Sequence, residues 1–287
     1  MTRIETAVVC GAGAMGSQIA MLAALAGCAT TMVDVDQSRL DAAIAQLKRR
    51  CARSVEKGTL DADEVDAAFA RLGTSLDLDV AARGADIVIE AIVEDLDAKR
   101  ELFQRLARAT RSDAILATNS SSIVSSKLAD IANPERVCNM HFFNPALVMT
   151  LVEVVGGEHT SPATVDAVVD LADRMRKTPV VVRKEIFGFI ANRIVAAIFD
   201  EAIDLLEAGV ATVEDIDRAV TNGLGHPVGP FALLDMTGID VNVAIKRLEA
   251  QETGDPSRGP SRTLLELESA GRIGRKSGHG FYEYGAS

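Results

Sequence analysis

Tryptophan is absent from the chain and tyrosine occurs only twice, so a single-stranded nucleic acid would find little stacking surface beyond nine phenylalanines. A positive balance is missing as well. The 30 Lys and Arg residues stand against 41 Asp and Glu, and a formal charge of −11 repels a phosphate backbone. Nucleic acid is therefore not an expected partner. Cysteine is scarce: Cys10, Cys28, Cys51 and Cys138 lie far apart with no CxxC spacing, which implies neither a metal site nor disulfides but reduced thiols in a cytoplasmic protein. Long apolar runs are lacking too. The longest, Ile19 to Val33, is interrupted by Gly27 and Thr30-Thr31 and falls short of the ~20 residues a bilayer requires, so no membrane association is expected. Met1-Thr2-Arg3 leads straight into an apolar strand pattern, and no signal peptide is expected. What remains is a chain of ordinary globular composition, 48% hydrophobic and 25% charged, whose 287 residues suffice for two domains at roughly 150 residues each.

Over the first 185 or so residues, short β-branched runs alternate with longer helical patterns. Strands are predicted at Ala7–Cys10, Thr31–Val33, Ile87–Ile89, Ile115–Ala117, Leu151–Val155 and Pro179–Val182, and helices around 16–26, 38–57, 62–72, 95–109 and 162–176. Such alternation specifies a mostly parallel sheet covered by helices on both faces. From Gly188 onward the strands stop, and 188–208, 213–222, 230–252 and 261–271 read as helices alone. The expected architecture is α/β: a doubly wound, mostly parallel sheet over residues 1–185, then a smaller all-α domain over 186–287.

Directly after the first strand stands Gly11-Ala12-Gly13-Ala14-Met15-Gly16, a GxGxxG opening onto a helical pattern, as in Rossmann-type dinucleotide-binding units. Its first glycine permits the tight turn, the second lets a pyrophosphate approach the backbone, and the third packs helix on strand. The second strand ends at Val33-Asp34, where an acid accepts hydrogen bonds from the adenosine ribose hydroxyls. No arginine follows. Val35-Asp36 come next, and two acids would repel a 2′-phosphate, which favours NAD over NADP.

A second constellation has the makings of proton transfer. Met140-His141-Phe142-Phe143-Asn144-Pro145 sets a histidine beside aromatics and an Asn-Pro turn, and an imidazole of reference pKa ~6.5 exchanges protons at neutral pH. Glu153 is the only charged residue in Leu151-Val152-Glu153-Val154-Val155. A carboxylate buried there needs a partner, and a histidine is a natural one; the alternative is an edge strand with Glu153 facing water. Asn119-Ser120-Ser121-Ser122 follows a predicted strand, at the carboxyl end of the sheet where ligands of such folds bind, although serine runs also serve as turns and caps. Asn192 falls within a mainly apolar helical stretch, a position that hints at a specific hydrogen bond. His159, His226 and His279 read as structural. Lys48, Arg49, Arg50, Arg53 and Lys57 form a basic stripe that suits the phosphates of an anionic substrate such as a coenzyme A thioester, or is simply a solvated helix face.

Taken in order, Gly11 to Gly16, Glu90-Ala91-Ile92-Val93-Glu94, Asn119 to Ser122, His141 to Pro145, Leu151 to Val155, Gly188-Phe189-Ile190-Ala191-Asn192-Arg193, Pro227 to Phe231 and Gly274 to Tyr282 resemble the motifs of the L-3-hydroxyacyl-CoA dehydrogenase family, bacterial 3-hydroxybutyryl-CoA dehydrogenases included. The resemblance spans nearly the whole chain. It implies NAD-dependent, reversible oxidation of an L-3-hydroxyacyl-CoA, of short chain, to the 3-oxoacyl-CoA, in a homodimer acting in fatty acid metabolism. The catalytic histidine falls on His141, its carboxylate partner on Glu153, and the groups that hold the substrate oxygen on Ser121 and Asn192. The cofactor contacts fall on Gly11, Gly13, Ala14, Met15 and Gly16, and on Asp34, Glu94, Lys99, Ser121, Asn144 and Lys276. The chain departs from the family pattern in having Ser120 where threonine is common and Ala232 where glutamate is common. Two other readings are a dehydrogenase of a free hydroxy acid, such as gulonate or carnitine, and a dinucleotide-binding protein without turnover.

Overall fold

The computed structural model describes residues 3–285, and the chain divides after Phe189 into two units. The first runs β1 (Thr6–Cys10), α1 (Ala14–Leu25), β2 (Ala29–Val33), α2 (Gln37–Glu56), α3 (Ala62–Arg71), β3 (Leu72–Ser75), α4 (Leu78–Ala82), β4 (Ile87–Glu90), α5 (Leu96–Ala109), β5 (Ile115–Thr118), α6 (Ser126–Ala129), β6 (Val137–Phe142), β7 (Leu151–Val155), α7 (Pro162–Arg174) and β8 (Thr178–Val182). The strands form one sheet in the order β3-β2-β1-β4-β5-β6-β7-β8, all neighbours parallel except β6 with β7. The doubly wound, mostly parallel sheet expected from the sequence is the one observed.

Residue alternation along the strands builds the layers. Ala7, Val9, Ile87, Ile89, Ile115 and Ala117 point to one face, where α1, α2 and α7 cover them; Val8, Cys10, Val88 and Leu116 point to the other, under α4, α5 and α6. Strand order reverses at β1 and β4. There the loops leaving the two carboxyl ends part company, and the resulting crevice is where open α/β sheets take their ligands.

Two strands escape the sequence pattern. β3 is a short edge strand, Leu-Gly-Thr-Ser, with too few apolar residues to register. β6, Val-Cys-Asn-Met-His-Phe, is buried at every position, but its Asn and His interrupt the apolar run by which a buried strand is recognised. The polar residues hydrogen-bond inside the protein.

The second unit contains α8 (Ala191–Glu207), α9 (Val213–Leu224), α10 (Pro230–Thr237), α11 (Ile239–Thr253) and α12 (Arg262–Ser269) around a core that includes Phe199, Ile203, Phe231, Leu234 and Val243. One helix expected over 230–252 is two, parted at Gly238, whose φ of +98° is incompatible with helix. Two buried carboxylates secure the joints. Asp217 caps α10 by accepting the N–H groups of Phe231 and Ala232 at 2.8 and 3.0 Å, and Asp235 accepts those of Phe281 and Tyr282, both at 2.9 Å. Burial, reinforced by the Tyr282 hydroxyl's hydrogen bond to Asp217, pushes that phenol above its usual range. Among the described residues no helix is long and apolar enough to cross a membrane.

Candidate active site

Two loops at the carboxyl ends of the parallel strands and the β6–β7 pair carry the candidate residues of the first unit. The first is the glycine turn after β1. Gly11 has φ +104° and donates its N–H to the Val33 carbonyl at 2.7 Å. A Cβ on Gly11 would sit 2.5 Å from the Ala91 carbonyl oxygen, and one on Gly16 would sit 1.9 Å from that of Gly11, so neither position tolerates a side chain. Gly13 differs. Nothing lies within 4 Å of the Cβ it lacks, and this open space adjoins the amino end of α1, where Ala14 and Met15 form the first turn and unpaired N–H groups favour an anion. The Asp34 carboxylate, just past β2, accepts from the N–H groups of Ala12 at 2.8 Å and Asp36 at 3.2 Å, so it braces the turn while standing beside it.

The second loop follows β5. Glu94 gathers it: its Oε1 accepts from the Ser120 hydroxyl, from the Ser122 hydroxyl at 2.5 Å and from the Ser122 N–H at 3.3 Å, while Oε2 lies 3.3 Å from the Lys99 ammonium. Burial raises the Glu94 carboxyl, but Lys99 and the two serines outweigh it and hold its pKa below the ordinary carboxylate value. Lys99 is 1% exposed and also meets the fully buried Glu90 at 2.5 Å. From beneath, buried Asn139 donates to the carbonyls of Ser120 and Ile123 at 3.2 and 3.0 Å and accepts from the Ser125 N–H at 2.8 Å. Ser121, half-buried at the crest of this turn, has no hydrogen-bond partner among the described residues. Of three serines in a row, two face inward to Glu94 and the middle one is left available.

The third element is the β6–β7 pair. Because the two strands are antiparallel, His141 and Glu153 fall directly opposite each other, twelve residues apart in sequence and adjacent in space. His141 Nδ1 lies 2.8 Å from Glu153 Oε2, and both side chains are buried. Glu153 does not face water, since β7 is flanked by β6 and β8. The rings of Phe143 and Phe189 pack against the imidazole with centroids at 4.6 and 5.5 Å. Asn144 is exposed at the head of the loop joining the two strands. Further along that loop, Gln18 of α1 accepts the Leu147 N–H at 3.2 Å, and the Lys177 ammonium donates to the Ala146 and Met149 carbonyls at 2.6 and 2.8 Å.

Two candidates belong to the second unit. Asn192 is half-buried in the first turn of α8, and Lys276 is ion-paired with Asp240 at 2.6 Å.

A glycine turn with open space at Gly13 and a buried histidine–carboxylate pair are both compatible with dinucleotide-dependent oxidation. Comparison with known proteins decides the family. Residues 6–186 match the 3-hydroxyacyl-CoA dehydrogenase NAD binding domain and residues 188–284 the 3-hydroxyacyl-CoA dehydrogenase C-terminal domain. The chain belongs to the 3-hydroxyacyl-CoA dehydrogenase family. It is 42% identical over 282 residues to a protein of Bacillus subtilis named probable 3-hydroxybutyryl-CoA dehydrogenase, covering 98% of each chain. It is 39% identical over 284 residues to a Mycobacterium tuberculosis protein named 3-hydroxybutyryl-CoA dehydrogenase, covering 98% of this chain and 99% of that one. Among solved structures, the (S)-3-hydroxybutyryl-CoA dehydrogenase of Ralstonia eutropha superposes with a TM-score of 0.93 at 36% identity, covering 99% of this chain and 100% of that one.

The dehydrogenase uses NAD, and its first unit fits that cofactor: the space at Gly13 suits the pyrophosphate and the Asp34 carboxylate suits ribose hydroxyls. Four residues that shape this site had not been singled out as candidates: Glu90, Asn139, Phe143 and Phe189. Glu90 carried a readable signal, the same one as Glu153, because it is the one charge ending an apolar run, Ile87-Val88-Ile89-Glu90. Asn139 and Phe189 carried none, since their partners are distant in sequence.

Proposed function

We propose that the dehydrogenase oxidises the hydroxyl group of short L-3-hydroxyacyl-CoA thioesters, 3-hydroxybutyryl-CoA foremost, reversibly to the 3-oxo compounds. The observation that carries this reading is the buried contact of His141 Nδ1 with Glu153 at 2.8 Å. A carboxylate at Nδ1 selects the tautomer protonated there and leaves Nε2 as the acceptor for the substrate hydroxyl proton. Once His141 holds that proton, the negative charge of the buried Glu153 stabilises the imidazolium. Bound NAD supplies the two-electron acceptor for the hydroxyl-bearing carbon. Ser121 and Asn192 are assigned to the substrate oxygen, Ser121 because its hydroxyl is left without a partner while Ser120 and Ser122 are tied down. Asp34, Asn144, Glu94, Lys99 and Lys276 are assigned, with the glycine turn, to the cofactor.

A coenzyme A thioester fits one more feature. Lys48, Arg49, Arg50 and Arg53 lie on α2 and Lys57 just past its end, and among the described residues none of them has a carboxylate within 4.0 Å, an arrangement that favours the phosphates of the coenzyme in a chain otherwise acidic. A homodimer is proposed from the second unit. Val241, Ala244, Ile245 and Leu248 share one face of α11 at helical spacing, with Val241 and Ile245 44% and 45% exposed, an apolar stripe suited to a second copy. A cytoplasmic setting suits the four free, buried cysteines, of which Cys138 has its pKa pushed up to about 12 by burial.

The test is NADH consumption with acetoacetyl-CoA, longer 3-oxoacyl-CoAs and free acetoacetate. Acetoacetyl-CoA should turn over fastest. Equal turnover of the free acid would sink the thioester reading, and a preference for long chains would sink the short-chain one.

A further inference from the structure

Glu90 and Lys99 form an ion pair 0% and 1% exposed, at the carboxyl end of β4, where the two halves of the sheet part. The assignment of Lys99 to the cofactor does not by itself call for a carboxylate buried as deep as Glu90, and an apolar pair of the same volume would commonly hold the fold as well. The connections of the pair explain its presence. Glu90 Oε1 accepts from Lys99 at 2.5 Å and from the Ile92 N–H at 2.7 Å, while Oε2 accepts from the Thr118 hydroxyl at 2.6 Å. That hydroxyl in turn accepts the Ser120 N–H at 3.1 Å. On the other side, Lys99 reaches Glu94, and Glu94 holds the hydroxyls of Ser120 and Ser122. The hydrogen bonds close a ring: Glu90, Lys99, Glu94, Ser120, Thr118 and back to Glu90. Glu94 is its one solvent-facing member, its side chain 40% exposed, and an unanchored carboxylate at that exposure would sample several rotamers.

We propose that Glu90 and Lys99 are positioning residues: their buried pair fixes the Glu94 carboxylate, which grips the serines on either side of Ser121 and so sets the direction of the Ser121 hydroxyl. Glu90 supplies a fixed counter-charge that keeps the Lys99 ammonium in one place, and Lys99 immobilises Glu94 Oε2 so that Oε1 faces the turn. Thr118 returns the constraint to the backbone at Ser120. Ser121 itself contributes nothing to the ring and remains free for a ligand. This inference rests on the reading above that Ser121 meets the substrate oxygen, and it gives Lys99 a task that needs no contact with the dinucleotide.

A double-mutant cycle tests it in the full-length enzyme at saturating NADH. Ser121→Ala examines the underlying reading: unchanged kcat with acetoacetyl-CoA would overturn that reading, and with it this inference. The combined variant Glu90→Gln with Lys99→Met removes both charges together, avoiding a lone buried one, and should keep the thermal midpoint near that of the unmutated enzyme. Its kcat at saturating NADH should fall about 10–100-fold, the scale of a reacting group displaced by a fraction of an ångström to an ångström, over and above any change in NADH affinity from the loss of Lys99. Adding Ser121→Ala to that variant should cost little more, because the hydroxyl would already be misdirected. Should the combined variant fail to fold, Ser120→Ala with Ser122→Ala releases the turn from Glu94 and should give the same non-additive loss. A fall in kcat that multiplies independently with Ser121→Ala, wild-type kcat in either combined variant, or a loss confined to NADH affinity would each overturn the proposal while leaving the role of Ser121 intact.

Discussion

The glycine turn and the β6–β7 pair, proposed above to serve one site, are built by opposite means. At the turn, recognition is built from what is missing: no Cβ at Gly13, no intrahelical partner for the first N–H groups of α1, and a half-exposed acid at Asp34. At the strand pair it is built from what is present and enclosed, a histidine and a carboxylate with aromatic rings around them. The difference follows from the partner each meets. A diphosphate brings its own charge and needs open, hydrogen-bond-donating backbone, whereas a transferred proton needs a base whose surroundings are fixed and dry before the substrate arrives.

Removing the proposed base should break the enclosed half most severely. His141→Ala should lower turnover by roughly 10²–10⁴-fold with NADH affinity preserved, and a stopped-flow measurement separates the two; wild-type turnover would remove His141 from the mechanism. Glu153→Gln comes next. The amide can still hold the ring but cannot neutralise an imidazolium, so kcat should drop by about 10²-fold with unchanged NADH affinity, and full activity in this variant would mean that the carboxylate serves only the strand. The open half answers to a paired test. Gly13→Ala has room within the protein but fills the approach of the pyrophosphate, so NADH binding should weaken by about tenfold, or 1.4 kcal/mol, at an unchanged thermal midpoint. Gly16→Ala drives a methyl into the Gly11 carbonyl and should lower the midpoint itself. If the two substitutions behaved alike, the distinction between open space and close packing would be lost. Asp34→Ala should narrow the preference for NAD over NADP several-fold, as read from the ratio of kcat/KM values.

The smallest effect sits where the halves meet. Glu94 has its pKa held down, so its contribution to stability is complete above its ordinary value of 4.5 and is lost as pH falls through the lower, folded-state value. The thermal midpoint of Glu94→Gln should therefore decline less steeply than that of the unmutated enzyme below about pH 4.5. Parallel declines would show that the serine turn does not depend on that charge.

Legibility in sequence followed the range of the interactions. The glycine turn could be read because its spacing is a local pattern, although only Gly16 meets backbone a few positions away, at Gly11, while Gly11 is held clear of Ala91 from a distant strand end. Glu153 could be suspected as a charge in an apolar run, and His141 as its partner by chemistry. The strand that carries His141 could not be read, since Asn139 and His141 break the apolar pattern, and they are tolerated in β6 only because Ser125 and Glu153, from other parts of the chain, satisfy them. The single helix expected over 230–252 failed for a different reason: periodicity continues through Gly238, but the backbone does not.

By itself the sequence determined the alternation of strands and helices, the glycine turn, an acid at the end of the second strand and a histidine and a carboxylate of the chemistry a proton transfer needs, because each is a matter of local pattern or intrinsic chemistry. Tertiary structure alone decided which of three consecutive serines is left free, that Glu90 and Lys99 meet in the interior, and that His141 lies opposite Glu153. These outcomes depend on strand register and on loops that converge only once the sheet has formed, and such long-range contacts leave no periodic trace in the chain.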